Sequence, residues 1–207
     1  VELAEEQALN TILDGNRYEL TRKRVNHDLT VLGIGAVKNT FSKSEGAKVE
    51  YVDPSDLVYS FTESPYFDDI YYVGEVKTLP INEVKKEFPN ITDEELEKAT
   101  RVGDGSDVNR VQVLYFNYKT FMNEVYKVKE TATGAKKAIL KDDSFNPPMN
   151  EDAKFTKASK SIEVLYEGAK ILGCDELLKW EVAKNMLRPK SDYSKVRMNY
   201  AICAPRM

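Results

Sequence analysis

Residues 36–52, AVKNTFSKSEGAKVEYV, decide the fold class, because the apolar side chains change there from a helical period to strict alternation. Before this stretch, the apolar residues of 2–26 recur every three or four positions, which predicts a helix that is weak at Gly15 and Asn16. Within the stretch, two alternating runs flank a polar turn at 43–46, which predicts a β-hairpin. The chain is therefore predicted to be α+β, with an N-terminal helix that leads into a β-rich layer.

The next elements are marked by proline and by helix-capping residues. Alternating apolar residues predict strands at 57–62 and 70–79. Pro80 suits the first turn of a helix, because its missing N–H would have no partner there, and a short helix is predicted to follow it. Thr92 and Glu95 have the spacing of a capping box, which predicts a second short helix after the first.

The glycine- and aspartate-rich run 103–107 is the best candidate for a domain boundary. It divides the chain into a helix plus α+β region at 1–104 and a β-rich region at 105–207. Charge follows nearly the same division, with 12 Lys and Arg against 21 Asp and Glu up to residue 105, and 18 against 13 beyond it. The basic second half suits contact with phosphates, although an ordinary solvated surface explains the same charge.

The second region is predicted to consist of strands and loops. Residues 108–121 are expected to pair with 124–131 through a turn at Met122 and Asn123. Residues 141–160 are rich in Asp, Asn, Pro and Lys, which predicts a long loop. Glu167 and Gly168 predict a turn between two short strands. The short strands are predicted at 161–166, 169–172, 177–183 and 196–202.

The composition excludes several classes of protein. No apolar run approaches the roughly 20 residues that span a membrane, so no membrane contact is predicted. A single His and two Cys leave too few groups for a zinc site or a Cys–His pair, and no catalytic, cofactor-binding or metal-binding residue is predicted. We expect the protein not to be an enzyme. The chain begins at Val1, and we expect it to be an internal piece of a longer protein.

Four features that suggest chemistry each have a structural explanation that we favour. The glycines of 33–35 precede a predicted strand, whereas a dinucleotide-binding fingerprint follows one, so they are interpreted as a helix end. The acidic pairs at 68–69 and 142–143 lack the spacing of a calcium loop and are interpreted as solvated turns. His27 is interpreted as a helix cap or a surface residue. Cys174 precedes two acidic residues, which disfavour a thiolate nucleophile.

Two groups of side chains suggest contact with nucleic acid. Ten Tyr and Phe residues have the alternation of strand positions, which we interpret as core and cross-strand packing rather than a base-stacking platform. They are Tyr51, Tyr59, Phe61, Tyr66, Phe67, Tyr71, Tyr72, Tyr115, Phe116 and Tyr118. Lys127, Lys129, Lys136 and Lys137 lie on a predicted hairpin and the loop after it, and they are the candidate DNA-proximal residues because they could contact phosphates.

Short sequence motifs along the chain resemble those of a known family in their residues and in their order. The motifs are LGIG at 32–35, VEYVDP at 49–54, YFDD at 66–69, YVGE at 72–75, VKKEFP at 84–89, VQVLYF at 111–116, LYEG at 165–168, ILG at 171–173 and KW at 179–180. They resemble the wing region of portal proteins of tailed bacteriophages, and the strands on either side of the portal clip. The nearest likeness is to the short-tailed, crAss-like phages of gut Bacteroides, and it covers roughly residues 20–205.

This resemblance implies a structural virion protein. Portal proteins form a ring, usually of twelve subunits, which provides the DNA channel at one capsid vertex for genome packaging and ejection. The implied partners are other copies of the chain, terminase, capsid and head–tail connector proteins, and double-stranded DNA bound without sequence specificity. The implied location is the virion, and the host cytoplasm during assembly. The alternatives are a nucleic-acid-binding domain or a hydrolase domain of a phage or bacterial protein.

Overall fold

The computed structural model describes residues 2–44, 46–102, 109–130, 134–146, 155–175 and 177–205, which form an α+β fold as predicted. The described helices are α1 Glu2–Gly15, α2 Tyr18–Val31, α3 Ile81–Glu87 and α4 Asp93–Val102. The described strands are β1 Gly35–Ser42, β2 Gly46–Val52, β3 Leu57–Tyr59, β4 Tyr72–Pro80, β5 Arg110–Glu130, β6 Lys136–Lys141, β7 Phe155–Ile171, β8 Leu177–Val182 and β9 Tyr200–Cys203. None of the helices in these ranges is long and apolar enough to cross a membrane.

The N-terminal helix predicted at 2–26 is two helices, which break at the predicted weak point. Arg17 adopts the left-handed backbone conformation, with φ of 50°, which no helix interior allows. The side-chain amide of Asn16 donates to the carbonyl of Ala47 at 2.9 Å, and its Oδ1 accepts from the N–H of Val49 at 3.2 Å. The break is therefore fixed by hydrogen bonds to β2.

The predicted hairpin at 36–52 is confirmed, and it belongs to a small antiparallel sheet. In the described chain, the order of this sheet is β2-β1-β9, with Ala36 opposite Val52 and Val37 opposite Ala201. Strand β9 thus returns from the C-terminal end of the chain to the hairpin. Buried Ala36, Val52 and Ile202 pack together and against Val73 of the larger sheet.

The two short helices are confirmed where proline and capping signals predict them. The Thr92 N–H donates to Glu95 Oε2 at 2.9 Å and the Glu95 N–H donates to Thr92 Oγ1 at 3.4 Å, as a capping box requires. Buried Val84 of α3 and Leu96 of α4 pack in a cluster with Val113 and other residues of the larger sheet. These helices therefore cover part of one face of that sheet.

The larger sheet contains six of the described strands, all antiparallel. Its order is β3-β4-β5-β7-β8, and β6 pairs with β5 beyond the end of β4. Strands β5 and β7 pair without interruption from Val113 opposite Ile171 to Lys129 opposite Phe155. At about 3.4 Å per residue, this ladder is roughly 55 Å long.

The long strands contradict the turn predicted at Met122 and Asn123, the loop predicted at 141–160 and the turn predicted at Gly168. Met122 and Asn123 do not form a turn, because they lie inside β5 and pair with Ile162 and Ser161 of β7. The loop predicted at 141–160 ends earlier, since β7 already begins at Phe155. The backbone groups of these polar segments are satisfied by pairing with distant strands, which the local composition does not indicate.

Gly168 also lies inside a strand rather than in the predicted turn. A Cβ on Gly168 would lie 2.3 Å from Cζ of Phe116, which stands opposite Gly168 on β5. The ring of Phe116 therefore occupies the space that a side chain at 168 would need. Gly168 leaves space for the aromatic ring of the neighbouring strand and does not form a turn.

The two faces of the larger sheet differ in what covers them. Directly paired residues of neighbouring strands project to the same face, and so do residues two apart along a strand. The inner face carries buried Val73, Val113, Ala169 and Ile171, and it packs against α3, α4 and the small sheet. The outer face carries a row of aromatic residues on four neighbouring strands. These are Tyr72, Phe116, Tyr118, Tyr166 and Trp180.

The linker predicted at 103–107 lies outside the described residues. Strand β4 precedes it and β5 follows it, and these two strands pair from Tyr72 opposite Tyr118 to Pro80 opposite Arg110. One sheet therefore contains strands from both sides of the predicted boundary. The division into regions 1–104 and 105–207 stays a prediction.

Candidate functional site

The far ends of β5, β6 and β7 form a three-stranded arm, which consists of residues 121–130, 136–141 and 155–161. All side chains of β6 are exposed, and so are those of 156–161 on β7. On β5, Val125 is buried and several of its neighbours are half-buried. The arm is thus held by its backbone ladder and leaves most of its side chains in solvent.

The pairing of the arm places five lysines on one of its faces. Lys129 is directly opposite Lys137 on β6, and Lys127 is directly opposite Lys157 on β7. Lys141 pairs with Val125, which lies two residues from Lys127, and it therefore shares their face. We call this set the lysine face. Its members are Lys127, Lys129, Lys137, Lys141 and Lys157.

The lysine face contains three of the four lysines predicted to be near DNA. Lys136 pairs with Glu130 and projects to the opposite side of the arm, so it is not part of the cluster. The sequence prediction omitted Lys141 and Lys157, because both fall in the segment that was predicted to be a loop. Only the register of β5 against β6 and β7 brings them to Lys127 and Lys129.

The lysine face is free of described carboxylates. Its remaining paired positions are apolar or neutral, and within the described ranges none of its lysines forms an ion pair. The Nζ atom of Lys127 lies 3.9 Å from the ring centroid of Phe155, and that of Lys157 lies 3.4 Å from Oδ1 of Asn146. Like charges directly opposite each other destabilise a sheet. The arrangement therefore costs stability unless an anion offsets the repulsion.

A second candidate is a cleft of about 890 Å³ between the small sheet and the inner face of the larger one. Its charged groups are largely engaged with each other. The Nζ atom of Lys179 lies 3.2 Å from Glu167 Oε2 and 3.0 Å from Glu181 Oε1. Burial lowers the pKa of Lys179, but the hydrogen bonds to Glu181 and Glu167 outweigh burial and raise it overall. A lysine held in this way is a charged structural group rather than a base.

At one side of the cleft, Glu75 joins the two sheets. Its Oε1 accepts from Lys38 Nζ of the small sheet at 2.7 Å and lies 3.1 Å from Lys77 Nζ and 3.4 Å from the Tyr200 hydroxyl. Burial would raise the pKa of Glu75, but the hydrogen bond and charge of Lys38, with those of Lys77, lower it overall. Burial and the neighbouring Glu75 raise the pKa of Tyr200. The network is an ion-paired link between layers.

The other residues considered from the sequence are dispersed. The His27 side chain is mostly exposed and lies 3.6 Å from Asp28. Cys174 donates to the carbonyl of Glu95 at 3.1 Å. Asp69 accepts hydrogen bonds from Thr62 and from loop N–H groups. Among the described residues, no group of three or more His, Cys, Asp or Glu side chains has a geometry that could hold a metal ion.

The aromatic series separates into packed and outward-facing members. Tyr59 and Phe67 meet edge to face at 5.6 Å and pack against the inner cluster, as the packing interpretation predicts. Tyr72, Phe116 and Tyr118 lie on the outer face instead. Trp180 and Tyr166, which the sequence interpretation did not include, complete that row. Their contribution becomes visible only from the pairing of β7 with β8.

Comparison with known proteins leaves the family unassigned. No protein-family model matches the chain, and no curated protein is similar to it in sequence. The resemblance to portal proteins therefore stays a prediction.

Proposed function

We propose that this chain is a non-catalytic, structural part of a bacteriophage portal, and that its lysine face lies against double-stranded DNA. The observation that carries the proposal is the lysine face itself, five amines gathered on one side of an arm that extends from the packed core. In the proposed setting, copies of the protein form a twelve-membered ring at one capsid vertex. The ring passes DNA and contacts terminase, capsid and head–tail connector proteins.

The energetics of the arm support contact with an anion. The register places Lys129 opposite Lys137 and Lys127 opposite Lys157, two direct like-charge pairs of a kind that destabilises a sheet. Phosphates between such amines would replace repulsion by attraction.

The spacing and chemistry of the amines suit a phosphate backbone. Residues two apart on a strand are about 7 Å apart, and neighbouring strands are about 5 Å apart, so the five lysines cover a patch that one stretch of backbone can follow. Lysine acts on phosphate as a point charge and lacks the planar fork with which arginine reads guanine. The lysine face therefore favours binding that is weak, salt-dependent and independent of sequence.

These binding properties fit a channel better than a reader of DNA sequence. DNA must slide through a channel, so strong or sequence-specific contacts would hinder its movement. The chain as a whole carries a net charge of −4, which limits non-specific attraction to the arm itself. The order of short sequence motifs, which resembles that of portal proteins, is the reason to place this DNA contact in a portal.

Fluorescence anisotropy with two unrelated duplexes, at about 50 and 150 mM salt, tests the DNA contact. The double variant Lys127→Gln/Lys129→Gln removes two members of the lysine face, and we expect the log–log salt slope to fall by about 1.8 for two lost phosphate contacts. The matched control is Lys136→Gln/Lys160→Gln, which removes the same charge from the opposite side of the arm. We expect this control to change binding much less.

Two outcomes contradict this DNA contact. Equal losses in both double variants mean that overall charge, not the lysine face, attracts DNA. Tight binding of only one of the two duplexes at 150 mM salt favours the nucleic-acid-binding alternative. The ring is tested separately by electron microscopy of the full-length gene product that contains this chain, for which we expect twelve-fold class averages.

A further inference from the structure

The outer face of the larger sheet is an apolar surface with one charged residue near its centre. Its aromatic row is flanked by Val76, Leu114 and Val182, which project to the same side. Lys170, opposite Leu114, is the only described charged side chain among these central positions. Trp180 is 47% exposed, and the other four aromatics are half-buried.

Ring-on-ring contacts connect Trp180 with Tyr166, Phe116 and Tyr118 on this surface. Trp180 stacks on Tyr166 with a centroid distance of 4.9 Å and an interplanar angle of 12°. The ring of Phe116 lies over Gly168, and Gly74 on the other neighbouring strand likewise leaves no room for a Cβ beside Phe116. At Gly168, the Phe116 ring therefore covers the backbone of the neighbouring strand.

In the described part of the chain, the packed layers all lie on the inner face. The core clusters that contain α3, α4 and the small sheet include none of the five aromatics of the outer face. A sheet normally buries both faces when both are apolar. Farther along β7, Ile162 and Val164 project to the same side and are buried. Around the aromatic row, by contrast, the outer face has the composition of an interface, and no core cluster of the described residues covers it.

A second element of the same chain, helix α1, also leaves apolar side chains exposed. Helix α1 has no buried residue, and Leu9 is 55% exposed and Ile12 37% exposed. Leu9, Ile12 and Leu13 lie on one side of the helix. Glu5 and Glu6 lie on the same side, one turn before Leu9. The helix is acidic in its first turn and has no basic residue in its last turn.

We propose that α1 of one copy packs on the outer face of a second copy. A helix laid on an apolar sheet face is one of the standard layer arrangements of proteins. The charges are complementary, because Glu5 and Glu6 would approach Lys170, the one described cation among the central positions of the outer face. The contact joins two different surfaces, so it is heterologous and generates a ring or an open chain of copies. This inference rests on the proposed function only where it identifies the contact as one between neighbouring subunits of the proposed ring.

The position of the lysine face argues against nucleic acid as the occupant. Bases stacked on Trp180 would bring their phosphates to the outer face, where Lys170 alone is central. Lys127 and Lys129 project from the other side of the same sheet, because they alternate with the even-numbered residues of β5. An aromatic platform for single strands usually has basic residues along it.

Sedimentation velocity over a concentration series tests the contact between copies. We expect the wild-type chain to associate with increasing concentration. Leu9→Asp in α1 and Trp180→Asp on the outer face should each weaken self-association by roughly tenfold or more, since each places a charge in the apolar contact. Leu140→Asp on the arm, where Leu140 is 60% exposed, is the matched control and should change nothing.

Mixing the variants distinguishes a heterologous contact from other modes. The Leu9→Asp chain keeps an intact outer face and the Trp180→Asp chain keeps an intact α1, so an equimolar mixture should form one-to-one dimers and nothing larger. Charge exchange gives a second measurement that leaves the apolar packing intact. Lys170→Glu and Glu5→Lys/Glu6→Lys should each weaken association, and the chain with all three changes should recover it.

Several results would overturn the proposal. They are a wild-type chain that stays monomeric to millimolar concentration, a mixture of the two variants that stays monomeric, and a charge exchange without recovery. If Trp180→Asp instead abolishes binding to a thirty-residue oligothymidine and leaves association unchanged, the outer face is a base-stacking platform. The lysine-face variants measure duplex binding independently, so either proposal can fail without the other.

Discussion

Strands β5 and β7 form one ladder, but its two halves have different surroundings. In the inner half, Val113, Leu165 and Ile171 are fully buried and pack against helices and other strands. In the arm, side chains such as Lys129 and Lys157 lie in solvent on the same two strands. The backbone pairing is continuous from one half to the other. The difference shows that pairing determines where the strands run, whereas side-chain burial determines where the stability resides.

The largest expected difference between the halves concerns a buried leucine. Leu165→Ala removes a fully buried side chain that packs with Ala183 and Val196, so we expect the free energy of unfolding to fall by about 2–5 kcal/mol. Leu140→Ala in the arm should change it by less than about 0.5 kcal/mol. Urea denaturation of both variants measures the difference, and similar losses would contradict the comparison.

A smaller loss is expected at the ion-paired link of the core half. Glu75→Gln removes the negative charge that Lys38 and Lys77 share, and we expect a cost of about 1.5–3 kcal/mol at neutral pH. Burial raises the pKa of Glu75, but Lys38 and Lys77 bring it below its usual 4.5. Its stabilisation is therefore complete above pH 4.5 and is lost as the pH falls through the folded-state pKa.

Unfolding titrations of the wild type and Glu75→Gln between pH 3 and 7 measure this dependence. The difference in unfolding free energy should shrink as the solution becomes more acidic. Glu19→Gln, at an exposed pair with Arg22, is the control and should show a small, nearly constant effect. A difference that grows toward low pH would show that the pKa of Glu75 is raised instead.

Gly168→Ala should have an intermediate effect. The new Cβ conflicts with the ring of Phe116, which has to shift, and we expect a loss of about 1–2 kcal/mol by denaturation. Gly15→Ala, where a Cβ has open space, should be neutral or stabilising by up to about 1 kcal/mol. Adding Phe116→Leu to Gly168→Ala should recover part of the loss. If the losses of unfolding free energy in Gly168→Ala and Phe116→Leu add up in the double variant, the ring and the glycine are not coupled.

The smallest effect is expected in the arm, and it has the opposite sign. Lys137→Glu replaces the like-charge pair with Lys129 by an attractive one, so we expect stabilisation of about 0.2–1 kcal/mol at low salt. The same variant should bind duplex DNA less well than the wild type. The gain should diminish as salt screens the pair. A destabilised Lys137→Glu chain would remove the argument that the lysine face costs stability.

The sequence predicts the elements that are specified locally. The hairpin at 36–52, the helix after Pro80 and the capping box at Thr92 each depend on residues within a few positions of one another. The break between α1 and α2 is also indicated locally, although the hydrogen bonds from Asn16 to β2 are not. Such features follow from backbone conformation and short-range hydrogen bonds.

The candidate site depends instead on pairing between distant segments. Proximity in sequence groups Lys127, Lys129, Lys136 and Lys137, but Lys136 lies on the other side of the arm. Lys157 belongs to the lysine face through its pairing with Lys127, across 30 residues of chain. The local residues predict a turn at Gly168, whereas its role, making room for Phe116, depends on a ring from another strand. Register is a property of the folded sheet, and composition does not encode it visibly.

The continuous ladder between β5 and β7 also has a mechanical consequence. A force that pulls the tip of the arm along the strand axis loads many hydrogen bonds in shear at once, because antiparallel bonds lie perpendicular to the strands. A force that pulls the strands apart at the tip loads one pair at a time and peels them open from Lys129 and Phe155 inward. The arm is therefore stiff toward a load directed along it and compliant toward a load across it, with the buried half as its anchor.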